Sequence, residues 1–176
     1  MNDSRAESYA LGQLGHLYEQ TQQWSDALSL TNQALALAQG IRAADITATW
    51  HWQQGRILKA QGNITEAIAS YDQAVNTLQS LRQDLVAVNP EVQFSFREQV
   101  EPVYRQLVQL LLQDVDSVSE PTRQQNLQRS REVIEALQLA ELENFFREAC
   151  LTYKPRPIDK IDNKAAVIYS SCSTNA

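Results

Sequence analysis

The sequence contains few residues that interrupt helices, with five glycines and five prolines among 176 residues. Sheets and their tight turns rely on these two residues, so their scarcity argues against a turn-rich all-β fold. Strong helix formers, chiefly Ala, Leu, Gln and Glu, are abundant instead. The apolar fraction of 43% is close to that of ordinary globular chains, so the protein can bury a core. The composition therefore predicts an all-α fold.

Groups suited to covalent or metal chemistry are also scarce. The two cysteines, Cys150 and Cys172, are too few for a disulfide framework, and no Cys-x-x-Cys or His-x3-His spacing predicts zinc. A thiolate nucleophile needs a nearby imidazole, and only His16 and His51 could supply one. Cys172 lies in a serine-rich tail without a nucleophile motif, and Cys150 follows an amphipathic helix. We therefore predict no enzyme activity, no metal and no cofactor, and a cysteine hydrolase is kept only as an alternative.

Positive charge and long apolar runs are limited as well. Fifteen basic residues against 21 acidic ones give a net charge of −6, with no basic stripe, so nucleic acid is not an expected partner. No stretch reaches the roughly 18 consecutive apolar residues that a membrane helix needs. The polar start, Met1 to Arg5, is not followed by the apolar core of a secretory signal. We expect a cytoplasmic protein without a membrane partner.

A repeat of 40 residues runs through the first half of the chain. Leu14-Gly15 returns as Gln54-Gly55, Asp26-Ala27 as Glu66-Ala67, and Gln33-Ala34-Leu35 as Gln73-Ala74-Val75. Periods of about 20–50 residues are typical of stacked supersecondary units. Because such arrays present extended surfaces to other molecules, the repeat favours binding over catalysis.

Apolar residues spaced three and four apart predict six helices: about Ser4 to Gln20, Trp24 to Gln39, Ala44 to Gln61, Thr65 to Leu85, Arg97 to Gln113 and Pro121 to Ala149. In the first helix the apolar face is formed by Tyr9, Leu11, Leu14, Leu17 and Tyr18. We expect Ser25 to cap the second helix and Gly40 to stop it. Pro102 leaves two possibilities for the fifth helix, which either begins there or kinks.

The repeated positions resemble the tetratricopeptide repeat, a family of paired helices. The second copy carries Gly55, Leu58, Gly62, Ala67, Tyr71 and Ala74, and the first carries Leu11, Leu14, Gly15, Tyr18, Ala27 and Ala34. The resemblance departs at Thr31, where an aromatic is usual, and at His51 and Gln54, where apolar residues are usual. The period also exceeds the common 34 residues, which implies longer helices or an added turn. The resemblance implies a right-handed superhelical α-solenoid with two regular hairpins and one diverged hairpin.

Two later strings resemble the segment that follows the repeats in bacterial CHAT proteins of the HetF type, whose peptidase-like domain is related to caspases. They span Phe94 to Tyr104 and Ala136 to Phe146. This resemblance implies three parts: two hairpins over 1–88, a diverged hairpin or cap over 89–151, and a non-helical tail over 152–176 that would open the CHAT sheet. Within these parts, Val92 to Phe96 and Ala165 to Tyr169 have the patterns of extended segments. The catalytic His and Cys of the family would lie downstream of this sequence.

The tetratricopeptide resemblance also implies a concave groove lined by fixed positions of each first helix. Carried onto this sequence they are Tyr9, Gly12, His16, Glu19 and Gln20, followed by Thr49, Trp52, Arg56, Lys59 and Ala60. Trp50, His51 and Trp52 fan over roughly 200° of a helix, so they cannot all be buried together. An aromatic beside two cations can hold an extended peptide with an acidic group or a carboxyl terminus. Alternatively, Trp52 belongs to the interhelical core and both cations are ordinary solvated charges.

These observations predict a protein–protein interaction module that binds a peptide or partner protein on its concave face. The predicted contact residues are His16, Glu19, Thr49, Trp52, Arg56 and Lys59. A structural role is the alternative, in which the repeats self-associate and the strand Ala165 to Tyr169 pairs with its copy in a homodimer.

Overall fold

The computed structural model describes residues 3–88, 100–113 and 117–146. Six α-helices occur in these ranges: α1 (Ser4–Gln20), α2 (Trp24–Gly40), α3 (Ala44–Ala60), α4 (Ile64–Val88), α5 (Glu101–Leu112) and α6 (Glu120–Phe146). Antiparallel packing within the pairs α1/α2, α3/α4 and α5/α6 makes three successive hairpins. The fold is an all-α solenoid of helical hairpins, which confirms the predicted class.

The 40-residue period reflects helix length. The first three helices are each 17 residues long and are joined by three-residue turns, so the residues beyond the common period extend the helices. The fifth helix begins at Glu101 and holds Pro102 in its first turn, where a missing N–H has no cost. Of the two possibilities, Pro102 therefore lies in the first turn of the helix and does not kink it. The predicted extended segments at 92–96 and 165–169 lie outside the described residues.

The turns between the first four helices share one geometry. Gln22, Arg42 and Gly62 all have positive φ, at 59°, 55° and 82°. In each turn the next N–H reaches back five residues, as from Gln23 to Tyr18 O at 2.9 Å, which is the closing bond of a Schellman motif. The expectation that Ser25 caps α2 was wrong, because Gln23 is its N-cap, without a side-chain hydrogen bond. The helix does end at Gly40 as expected, and the left-handed residue of the turn is Arg42, two positions later.

The first helix buries its small residues, not its large ones. Ser8, Gly12 and Gly15 are buried, whereas Leu14 is 43% and Leu17 56% exposed. Of the apolar face predicted for α1, only Leu14 and Leu17 therefore point away from the core, because Leu11 packs against a core cluster, Tyr18 is half-buried and Tyr9 packs against Trp50. Small residues are needed on the inner face because large side chains from neighbouring helices lie against it. A Cβ on Gly15 would lie 2.9 Å from Thr31 Oγ1.

The second hairpin repeats this arrangement with a larger partner. A Cβ on Gly55 would lie 2.6 Å from the ring of Tyr71, which stands 40 residues after Thr31. The main core then continues into the third hairpin, where Val103, Tyr104 and Leu107 of α5 and Val133 of α6 are buried with Tyr71. One continuous core thus joins α3–α6, and a smaller cluster joins α1–α3.

Candidate functional site in the groove between the first helices

A groove runs between α1 and α3 and holds a cavity of about 340 Å³. Its lining comes from two residues of α1 and five of α3: Gln13, His16, Thr49, Trp50, Trp52, Gln53 and Arg56. The structure thus brings together four of the six predicted contact residues, His16, Thr49, Trp52 and Arg56. The walls combine two indole rings with amide and guanidinium groups.

Trp52 is half-buried and has neighbours on both sides. Its Nε1 donates to Gln106 Oε1 at 2.8 Å, and the same oxygen accepts from the Tyr71 hydroxyl at 2.9 Å. The Arg56 guanidinium stacks over the indole with its Cζ 4.7 Å from the ring centroid. Trp52 therefore combines the two alternatives: it packs against the interhelical core and also lines the groove. Burial raises the pKa of Tyr71 to about 12, so its hydroxyl remains a donor at neutral pH.

Arg56 and Glu19 form a bidentate ion pair across the groove. Arg56 Nε lies 2.7 Å from Glu19 Oε1, and Nη2 lies 2.8 Å from Oε2. The two side chains are only 26% and 13% exposed. Arg56 is therefore not an ordinary solvated charge, contrary to that alternative. Parallel N–H···O bonds of this kind fix the geometry of both groups.

His16 completes this cluster at the edge of the groove. Its Nδ1 lies 2.9 Å from Glu19 Oε2, and its Nε2 lies 3.2 Å from Gln20 Nε2. A ring that donates through Nδ1 and accepts at Nε2 satisfies both contacts. Burial alone would raise the pKa of Glu19, but the hydrogen bonds and charge of Arg56, together with the hydrogen bond from His16, outweigh it and hold that pKa below its ordinary value. Glu19 is thus a carboxylate at neutral pH.

A buried polar network under the groove links the first two hairpins. Trp50 Nε1 donates to Ser8 Oγ at 3.0 Å, and that hydroxyl donates to the Ala34 carbonyl at 2.7 Å. Gln53 Nε2 donates to the Gly12 carbonyl at 2.9 Å and to Thr31 Oγ1 at 2.8 Å. Sequence reasoning missed this network. Its one signal was Thr31 at a position where the repeat usually has an aromatic.

The remaining predicted groove residues lie at the rim. Thr49 is exposed and donates to the Asp45 carbonyl at 3.2 Å. Lys59 is half-buried, and within the described part of the chain it has no ion-pair partner. Tyr9 packs edge-on against Trp50 with ring centroids 5.9 Å apart. Gly12 is buried under Trp50, and Gln20 and Ala60 are exposed.

The residues considered for catalysis are not brought together by the described helices. His16 lines the groove, while His51 lies against Gln39 of α2, with 3.5 Å between the two nitrogens. Burial lowers the pKa of His51. Cys150, Cys172 and the acidic loop 114–116 lie outside the described residues. Across ranges 3–88, 100–113 and 117–146, no group of three His, Cys, Asp or Glu is placed to hold a metal ion. In the same ranges no helix is long and apolar enough to cross a membrane.

The fold and groove define a helical-repeat scaffold, in which stacked hairpins present an extended surface. Comparison with protein families agrees. The model of the tetratricopeptide repeat matches residues 5–80, which covers α1 to α3 and most of α4. The match covers less than half of the chain, and it supports the predicted resemblance of the first two hairpins to tetratricopeptide repeats. Such repeats generally mediate protein–protein interactions, and their fold is typically a non-catalytic scaffold. No curated protein and no solved structure matches the chain.

Proposed function

We propose that this protein is a non-catalytic interaction module that binds an extended segment of a partner protein in the groove between α1 and α3. The cavity of about 340 Å³ carries this proposal, since it joins Trp52 and Arg56 to His16 of the other helix. Grooves that combine apolar walls with a few fixed polar groups are typical ligand sites. The tetratricopeptide match supports the same class of function.

The ion pair changes the chemistry expected of the ligand. Because Glu19 balances the charge of Arg56, an acidic group of the ligand would bind Arg56 less strongly than it would bind an unpaired cation. The lining of the cavity includes the indole rings of Trp50 and Trp52. We therefore propose that an apolar side chain of the partner fills the cavity. Lys59, three residues beyond Arg56 on α3, would then attract an acidic group beside it.

A pair of threonine variants tests the site. Thr49 faces the groove and Thr77 lies on α4, yet each hydroxyl donates to the carbonyl four residues earlier, at 3.2 Å and 2.7 Å. Peptides would be selected from a random phage-displayed library on the wild-type protein, and their affinity for Thr49→Arg and Thr77→Arg measured by calorimetry. A bulky side chain at the groove should weaken binding at least about tenfold, or about 1.4 kcal/mol. The same substitution at Thr77 should leave it unchanged.

Three results would refute the groove as the binding site. The library yields no peptide that binds wild type, or the selected peptides bind Thr49→Arg as tightly as wild type, or both arginine variants weaken binding equally. Circular dichroism of each variant separates a loss of binding from a loss of fold.

We also propose a cellular setting: a helical arm of a bacterial, cytoplasmic CHAT protein, where the module would recruit substrates or restrain the peptidase domain. The strings over 94–104 and 136–146 support this proposal. Sequencing the genomic DNA beyond codon 176 tests it. A caspase-like sheet with a His and a Cys is expected there, and an unrelated sequence would refute this setting without affecting the proposed groove.

A further inference from the structure

Both ends of the described solenoid expose an apolar helix face. Inside the solenoid, the equivalent faces are buried between one hairpin and the next. At the first end, Ala6, Ala10, Leu14 and Leu17 of α1 are all exposed. At about 100° per residue they share one face of the helix. This set is called the α1 outer face below.

The repeat shows what covers such a face elsewhere in the same chain. Forty residues later the corresponding positions on α3 are Ile46, Trp50, Gln54 and Ile57. Ile46 and Trp50 are 1% exposed, and Ile57 is fully buried. Ile46 and Trp50 lie in one cluster with Ala34, Leu35 and Ala38 of α2. Thus the second helix of one hairpin covers this face on the first helix of the next.

On the second helix of each hairpin, the two apolar residues that pack over this face lie seven positions apart. On α2 the pair is Leu28 and Leu35, and both pack against core clusters that include α3. On α4 the pair is Ile68 and Val75, which pack in the cluster that contains α5. Each pair therefore contacts the first helix of the hairpin that follows.

On α6 the equivalent pair is Leu127 and Ile134. The register is set by the inward residues, because Thr31 and Ala34 are buried on α2 and Ser130 and Val133 are buried at the same spacing on α6. Leu127 is 40% exposed, and Leu142, farther along α6, is 53% exposed. Ile134 is half-buried and packs partly against the main core. Leu127, Ile134 and Leu142 are called the α6 outer face below.

We propose that the α1 outer face of one molecule packs against the α6 outer face of a second copy of this chain, head to tail. The contact continues the α2–α3 interface between molecules and leaves the groove free, so it does not depend on the proposed peptide function. Because the two surfaces differ, each molecule keeps one unused end, and association can continue beyond a dimer.

Charge substitutions on each end test this contact in the full chain. The head variant carries Leu14→Glu and Leu17→Glu, and the tail variant carries Leu127→Glu and Leu142→Glu. All four leucines are exposed by 40% or more, so the monomer should still fold, which circular dichroism checks. Ile41→Glu is the control, since Ile41 is 41% exposed in the α2–α3 turn and belongs to neither face.

Sedimentation velocity over a concentration series gives the result. The mass of wild type and of Ile41→Glu should rise with concentration, while each leucine variant alone should stay at the monomer mass. An equimolar mixture of the two variants should form a dimer and nothing larger, because only one intact pair of faces remains.

Other outcomes overturn the proposal. A wild type that stays monomeric at every concentration removes it. A tail variant that still associates means that α1 contacts a copy of itself or that another surface is used. A mixture that stays monomeric excludes the head-to-tail pairing.

Discussion

Gly12 lies directly under the indole ring of Trp50, close enough that no side chain fits between them. A Cβ added to Gly12 would lie within 2.6 Å of three ring atoms of Trp50. Trp50 cannot move away easily, because it is 1% exposed and its Nε1 is bonded to Ser8. This contact, between residues 38 positions apart, fixes the distance between α1 and α3 and with it the width of the groove.

Gly12→Ala should therefore destabilise the fold. Overpacking of a core costs about 1–3 kcal/mol, although alanine recovers up to about 1 kcal/mol of helix propensity. We expect a net loss of about 1–2 kcal/mol, measured by urea unfolding followed by circular dichroism. Gly40→Ala is the matched control, because a Cβ there meets nothing within 4 Å. Its stability should stay equal or rise, and an equal loss in both variants would contradict the role of Trp50.

Arg42→Gly should stabilise the protein. Arg42 has a φ of 55°, in the left-handed region where a Cβ costs about 1–2 kcal/mol. Glycine removes that strain but increases the entropy of the unfolded chain, so a gain of about 1 kcal/mol is expected. Gly62→Ala at the equivalent turn, where φ is 82°, should lose a similar amount. Thermal unfolding of both variants checks the signs, and a lower melting temperature for Arg42→Gly would be inconsistent with a strained turn.

Glu19→Gln should destabilise the groove by about 1–3 kcal/mol at neutral pH, because it leaves the half-buried Arg56 without a charged partner. The pKa of Glu19 is lowered in the folded state. Its contribution is therefore complete above the ordinary pKa of a glutamate, and it is lost as the pH falls through the folded pKa. The difference between variant and wild type in urea unfolding should shrink in acid.

Glu132→Gln provides the control for that experiment. Glu132 pairs with Arg129 at 3.2 Å but is 42% exposed, and such surface pairs contribute at most about 1 kcal/mol. If both glutamine variants lose the same stability, or if the loss at Glu19 does not depend on pH, the ion pair has no special role in the groove.

Tyr71→Phe should remove one tyrosine that titrates late. Burial raises the pKa of Tyr71 to about 12, so in a spectrophotometric titration of wild type its tyrosinate should form after those of the exposed tyrosines. The variant should form one late tyrosinate fewer than wild type. Loss of the bond to Gln106 should also cost about 1 kcal/mol. A titration curve with the same late component in both proteins would assign it to another residue.

Much of the helical architecture follows from local sequence patterns. The bounds of α1 agree with the prediction at both ends, and those of α2 and α3 agree within one residue. Apolar spacing and short polar turns act over a few residues, so a sequence displays them directly. The residues that close the turns were harder to predict. Gln22 and Arg42 adopt the left-handed conformation, which only glycine indicates clearly in a sequence.

The groove residues were predicted by family position, and their chemistry was only partly predicted. His16, Thr49, Trp52 and Arg56 do line one cavity. The pairing of Arg56 with Glu19 was missed, because the two residues are 37 positions apart and approach each other only when α1 packs beside α3. The amide of Gln106, which fixes Trp52 and Tyr71, comes from a helix outside the repeat.

The sequence by itself determined that this protein is a stack of helical hairpins with a 40-residue period, since periodicity and turns are local properties of the chain. Only the tertiary structure decided which side of each helix is buried. On α1, Leu14 and Leu17 face outward and the glycines Gly12 and Gly15 face inward, because Trp50 and Thr31 occupy the interior from neighbouring helices. Close packing depends on how the volumes of residues distant in sequence fit together. Those residues become neighbours only when the helices have packed.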